Sequence, residues 1–300
     1  MTRSVTSLLL ILLIQCGIIT AVYWPDQALL EQPAHRHLLS LSPQDIDEVR
    51  IGDEYDNEAV LQKIGGHWVL PELEHLPADP HKINKLLAAI TDQDNGWPIA
   101  QSVAARQRFQ VADYHYQRSL ALLSANEQLA LVYLGTSPAF RKNHARQKGH
   151  DDIYSITFNV FDAPGVSGAW LDPRLLQVRA PLSIIADSYS VQRTSGEWVS
   201  GAGLKPDERE LQGLLSALRT MQIDGVASED LQRDLSTTEA DLVLQVQSLA
   251  GDVTLEVFTV EKAHFISSSE YNLLFRLSAY DYDRLTGIDF RLISGEVNGE

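Results

Sequence analysis

The sequence predicts an α+β fold: two copies of an antiparallel-sheet-plus-helix unit following an N-terminal membrane helix. Three observations predict it. Gly66-His67-Trp68-Val69-Leu70 recurs as Gly196-Glu197-Trp198-Val199-Ser200. The apolar face Ile83, Leu86, Leu87 and Ile90 recurs as Leu211, Leu214, Leu215 and Leu218, about 128 positions later each time, which is how an internal repeat shows itself. Short alternating runs joined by tight turns flank each helix, the pattern of antiparallel hairpins. The boundaries that follow are 1–25 for the membrane segment, 26–40 for a linker, 41–168 and 169–292 for the two copies, and 293–300 for a polar tail.

A chain of 300 residues can bury a sizeable core, and 44% hydrophobic with 21% charged residues is the balance of a folded chain. The net charge of -16 argues against general binding to nucleic acid or an anionic lipid surface, which recruit basic patches. Cys16 is the one cysteine and lies in the N-terminal apolar run. The rest of the chain therefore carries neither a disulfide nor a thiolate zinc site.

Taken in order, Arg3 precedes an apolar run from Leu8 to Trp24 that is broken only by Gln15 and Thr20. At about 17 residues it reaches the lower limit for crossing a bilayer. Tyr23 and Trp24 stand where an interfacial aromatic belt belongs, and Pro25 ends the segment. An uncleaved signal anchor is the preferred reading, because apolar residues continue past any cleavage point. A cleaved signal peptide and a lipid-modified Cys16 stay open. Arg3 and the free amine keep the N-terminus cytoplasmic, which places a single-pass protein in the inner membrane with its body on the periplasmic side.

In the first copy, Val49 and Ile51 alternate with polar residues as a half-buried strand does. Ala59 to Ile64 and His67 to Leu70 make a hairpin about Gly65-Gly66. Asp79 caps a helix that begins at Pro80, closed by Asp94-Asn95-Gly96. Residues through Arg106 and Arg108 read as a loop or short helix. Tyr116 to Leu123, Gln128 to Leu134 and Asp152 to Ile156 read as strands.

The second copy repeats the plan. Ser183 to Ala186 and Ser188 to Arg193 are strands, Ser195-Gly196 turns into Trp198, and Asp207 with Glu210 forms a capping box. Leu242 to Val246, Val253 to Phe258 and Tyr271 to Leu277 complete it. Trp68 and Trp198 read as structural residues that hold the two sheets, since a ligand-stacking role has no reason to recur in both copies.

The sharpest polar cluster is Leu134-Gly135-Thr136-Ser137-Pro138-Ala139-Phe140-Arg141-Lys142-Asn143-His144-Ala145-Arg146-Gln147-Lys148-Gly149-His150-Asp151-Asp152. Arg141, Lys142, His144 and Arg146 form a candidate patch for an anionic partner, with arginine forks suited to carboxylate or phosphate. The plainer reading is a solvated hairpin whose charges pair with Asp151 and Asp152. The second copy carries Phe258 to Phe265 at this place without those charges, so the first copy is the better place to look for function. Weaker constellations are His144, His150 and Asp151 with Asp152 as acid–base or metal groups, Ser137 as a nucleophile, His35 with His37, whose plainer reading is an exposed linker, and Tyr280-Asp281-Tyr282-Asp283 as an acidic-aromatic patch, whose plainer reading is an exposed strand end. No metal site, catalytic set, cofactor or Gly-rich phosphate loop is expected.

Ile46-Asp47-Glu48-Val49-Arg50-Ile51, Gly66-His67-Trp68-Val69-Leu70, the helix after Pro80 and above all Leu134 to Arg146 resemble the bacterial family known as domain of unknown function 4340. The resemblance covers most of the chain. It implies a membrane-anchored envelope protein, some relatives of which accompany gliding-motility-type ABC transporter components, and it implies no catalytic residue. The expectation is a non-enzymatic binding or assembly module that works with a protein partner in a membrane complex such as an ABC-type exporter. An envelope hydrolase or metal-dependent enzyme using the His144, His150 and Asp151 region is the rival, and a structural spacer without ligand is the third reading.

Overall fold

The computed structural model describes residues 12, 14, 15, 37–91, 94–235 and 238–296. The expected membrane segment at 1–25 therefore lies outside the described residues, save Leu12, Ile14 and Gln15, which are helical and exposed. Of the linker at 26–40 only the part from His37 is described. Among the described residues, no helix is long and apolar enough to cross a membrane.

The first copy opens with a three-stranded meander, β1 (Glu48–Asp53), β2 (Glu58–Ile64) and β3 (His67–Leu70). Gly65 and Gly66 make its tight turn at φ 58° and 87°, a region where a side chain would be strained. A short β4 (Leu76–Pro77) pairs with β3. Helix α1 (Pro80–Thr91) follows, and Asp79 Oδ1 accepts from the His81 backbone N–H at 2.9 Å. Its face Ile83, Leu86, Leu87 and Ile90 is buried as the spacing predicts. Then come α2 (Val103–Arg108), a ladder of β5 (Val111–Ala112) with β6 (His115–Tyr116), and a second meander, β7 (Arg118–Ser124), β8 (Glu127–Leu134), β9 (Asn143–Gln147) and β10 (Ile153–Ile156).

The second copy runs β11 (Pro181–Ile185), β12 (Ser190–Thr194), β13 (Glu197–Ser200), α3 (Glu208–Thr220), β14 (Ile223–Val226), α4 (Glu229–Leu235), β15 (Leu242–Ser248), β16 (Gly251–Val260), β17 (Ala263–Ser268), β18 (Tyr271–Leu277), α5 (Ala279–Thr286) and α6 (Phe290–Ile293). Both sheets have eight strands, in the orders β10-β9-β8-β7-β1-β2-β3-β4 and β13-β12-β11-β15-β16-β17-β18-β14. Without the short β4 and β14 the two orders are the same. In each copy the four-stranded meander adds to the first strand of the three-stranded one, and every pairing between these strands is antiparallel.

The copies form two sheets rather than one, yet they share a single core. Most of the buried apolar residues from Leu38 through Ile293 belong to one contiguous cluster that includes both long helices. The connection is stitched to both sides. Asp79 N donates to Trp170 O at 2.7 Å and Asp172 N to Pro77 O at 3.0 Å. Ile223 N donates to Pro173 O at 2.9 Å and Val178 N to Leu218 O at 3.0 Å. Trp170 is fully buried at this seam, with Nε1 donating to Pro164 O at 2.8 Å and the Lys82 ammonium 4.7 Å from its ring. Trp68 is buried and Trp198 half-buried, and both pack on the shared core.

Three expectations need correction. Residues Tyr280 to Asp283 are the first turn of α5, not a strand end. Ser278 Oγ accepts from Asp281 N at 3.0 Å and donates to its carboxylate, a helix cap that outweighs four residues of apparent alternation. The tail predicted from 293 begins too early, because Ile293 is fully buried in α6. Glu210 does not reach back to its own cap. Asp207 caps α3, while a Glu210 oxygen accepts from Asp289 N at 3.4 Å and so ties α3 to α6.

Candidate functional site

The stretch from Leu134 to Asp152 is a strand end, a turn, the strand β9 and a second turn. Strand alternation places Ala130, Val132, Leu134 and Ala145 on the shared core, and Leu131, Tyr133, His144 and Arg146 on the opposite face. That opposite face is not open to solvent. The segment carrying α2, β5 and β6 lies across it, and Val111, Tyr133 and Ile153 form a second small core there with Phe109, Tyr116 and Leu131 packed on it. Gly135 permits this close cover. A Cβ at Gly135 would stand 2.0 Å from the Phe109 carbonyl oxygen and 2.4 Å from that of Gln110, while Thr136 N donates to Phe109 O at 2.9 Å across the same gap.

The turn after Thr136 is braced from within. Ser137 Oγ–H lies between the carbonyl oxygens of Ala139, at 2.8 Å, and Lys142, at 2.6 Å. Lys142 N donates to Ala139 O at 3.0 Å, and Arg141 sits at φ 55°. Phe140 projects from this turn with 87% of its surface exposed, and the Arg141 guanidinium lies 5.1 Å from its ring centroid. Asn143 locks the base of the turn, donating to Gly135 O at 2.6 Å and accepting from Val160 N at 2.9 Å.

His144 and Arg146 serve the interior. The His144 ring stacks on Phe109 at 4.1 Å, and its Nδ1 lies 2.9 Å from Thr136 Oγ1. The Thr136 hydroxyl also lies 3.3 Å from Phe109 O, so it bridges the imidazole and that carbonyl. Burial, reinforced by the charge of Arg108, holds the His144 pKa below the usual histidine value. Arg146 is 2% exposed. Its Nε donates to Val111 O at 2.7 Å and its Nη1 to His150 O at 3.0 Å, while Nη2 pairs with the Asp113 carboxylate. The guanidinium also lies 5.3 Å from the Tyr133 ring, and burial raises the Tyr133 pKa.

The four residues read from the sequence as one patch are thus divided. Arg141 and Lys142 are exposed on the turn, whereas His144 and Arg146 lie beneath the covering segment. Arg146 pairs with Asp113, and Asp151 pairs with Arg106. His144, His150 and Asp151 do not gather either: His144 is under Phe109, and His150 with Asp151 occupies the exposed turn after β9. His37, His150 and Asp152 do line one cavity of about 320 Å³, where the Asp152 carboxylate accepts from Gln101 at 2.6 Å and from Tyr154 at 3.3 Å. His35 lies outside the described residues. Among the described residues, no three His, Cys, Asp or Glu side chains are arranged to hold a metal ion. Phe140 and Asn143 lie outside the four-residue patch that the sequence suggests. The signal for Phe140 was a large aromatic inside a turn bounded by Pro138, and for Asn143 its place on the core-facing set of β9.

Residues 68–242 match the family model described as Domain of unknown function (DUF4340). The match begins within β3, spans α1, the covering segment, the braced turn, the seam and α3, and ends at the start of β15. No curated protein and no solved structure matches the chain.

Proposed function

The chain belongs to the DUF4340 family, and on that premise we propose that it is a membrane-tethered, non-enzymatic docking module. Its contact point is the turn Ser137–Lys142, and its partner is a membrane protein that offers an acidic segment beside an apolar pocket. The apolar run from Leu8 to Trp24 supplies the tether and places the body outside the cytoplasm. A subunit of an ABC-type exporter is the partner this reading favours.

One observation carries the proposal: Phe140 is held almost fully exposed beside Arg141 on a turn braced by the Ser137 hydroxyl and by the Lys142 N to Ala139 O hydrogen bond. Aromatic residues and arginine are both enriched at protein interfaces, and preorganisation lowers the entropic cost of docking. Arg141 and Lys142 stand in a chain of net charge -16, so they also orient an approaching acidic surface.

The test is crosslinking and recovery from membranes with the full chain, comparing the native protein with Phe140→Ala/Arg141→Ala. Loss of a recovered membrane partner from the double variant, with folding unchanged, supports docking through this turn. Recovery of the same partners by both proteins moves the contact elsewhere. Recovery of none by the native chain overturns the assembly reading and directs attention to the cavity lined by His37, His150 and Asp152.

A further inference from the structure

The two copies differ sharply at one equivalent place. In the first copy the inward pair Leu120 and Val132 is followed on the outer face by Tyr133, which lies opposite Arg146 on β9. In the second copy the inward pair Leu244 and Leu255 is followed by Glu256, which lies opposite Ser267 on β17. Tyr133 and Arg146 fill their face, and Val111 closes over them. Glu256 and Ser267 do not fill theirs. A cavity of about 480 Å³ stands there, between α4 and the outer face of the sheet, within the size range of small-molecule sites.

The walls of this cavity are polar in a particular way. Thr254, Glu256, Ser267, Ser269 and Asn272 line it together with Phe258, and Ser269 Oγ accepts from Thr254 N at 2.9 Å. Glu256 accepts from Ser267 Oγ at 3.1 Å, and among the described residues no basic side chain pairs with it. The first copy carries its own guanidinium at the equivalent position, seated against an aromatic ring and backbone carbonyls. The second has a carboxylate, hydrogen-bonding side chains and empty volume in its place.

We propose that this cavity binds a small guanidinium compound of amino-acid size. The guanidinium fork meets the Glu256 carboxylate, its remaining N–H groups meet the Ser267 and Ser269 hydroxyls and the Asn272 amide, and its aliphatic stem lies along Phe258. The match of a planar fork to a carboxylate sets guanidinium above ammonium here. The site lies on the other sheet from the Ser137–Lys142 turn and does not depend on it.

Isothermal titration of the full chain in detergent with L-arginine tests this. Saturable one-to-one binding is expected, with citrulline, the neutral isostere, at least about tenfold weaker and Glu256→Gln weakened by a similar factor, since a charge-assisted bond is lost in each. Ser267→Arg should abolish the binding, because it supplies the guanidinium from the chain itself, as Arg146 does in the first copy. A blocked tripeptide with a central arginine separates the two sources of the group: tighter binding than free arginine assigns an arginine presented by a polypeptide, and weaker binding assigns a free metabolite. No heat with arginine up to about 10 mM, a concentration that reveals even millimolar affinity, overturns the proposal. So does equal binding of citrulline, or binding unchanged in Glu256→Gln. Melting curves of each variant establish that a lost signal is not lost fold.

Discussion

Arg141 and Arg146 stand five positions apart in one basic stretch, and they should answer mutation in opposite ways. In Arg146→Met the stem volume is kept and the guanidinium removed. Val111 O and His150 O then lose their donors. Val111 is fully buried, so its carbonyl has no water to turn to, at a cost of about 2 kcal/mol. His150 is exposed, and its carbonyl recovers part of the loss, leaving about 1 kcal/mol. The Asp113 carboxylate is 55% exposed and rehydrates, so its ion pair adds little. The expected loss is about 3 kcal/mol, or about 6–12 °C in Tm for a domain of this size. In Arg141→Met the side chain leaves an exposed turn, and stability should change by less than about 0.5 kcal/mol. Urea unfolding followed by circular dichroism, with m-values compared, measures both. A loss below about 1 kcal/mol for Arg146→Met refutes the account of Arg146 as a buried strut. So would equal losses for the two variants.

Three other outcomes follow from the same geometry. Gly135→Ala drives a Cβ into the carbonyl oxygens of Phe109 and Gln110, which are backbone and cannot swing aside, so a loss of about 2–3 kcal/mol is expected, and an unaltered melting temperature would contradict the close approach. The native chain should unfold in one transition because both copies share a core, and Trp170→Ala should lower it by about 3–5 kcal/mol; two separate native transitions by calorimetry would sink the idea of a single core. His144 has its folded pKa below the unfolded value of about 6.5, so the neutral form favours the fold, and the stability it contributes is complete above that unfolded value and lost as pH falls through the folded one. Stability against pH should therefore decline less steeply on the acid side in His144→Gln, and a ring titration by NMR centred above about 6.5 would contradict the assignment.

Much of the fold was legible because periodicity is a local signal. The face Ile83, Leu86, Leu87, Ile90 and its counterpart at Leu211 to Leu218 report burial through helical spacing alone. The Gly65-Gly66 turn reports itself through two residues that tolerate positive φ. The failures share a cause as well. Alternation in β9 separates Asn143 and Ala145 from His144 and Arg146, but it says only that two residues face away from the core. The segment that covers them comes from about thirty-five positions earlier, and its approach depends on one missing Cβ at Gly135. The exposed role of Phe140 was hidden for the converse reason, since an aromatic in a sequence reads as buried until the turn that displays it is built.

The sequence by itself determined the repeat, the two long helices and the faces they bury, and the family resemblance, all of which rest on spacing within a few residues or on direct comparison of two segments. Only the tertiary structure decided the strand order, the fusion of two sheets on one core, the division of four basic-stretch residues into an exposed turn and a buried strut, and the cavity that Glu256 and Ser267 leave open. Each of these depends on which distant segment covers a face, and that is set by packing between parts of the chain that carry no local mark of one another.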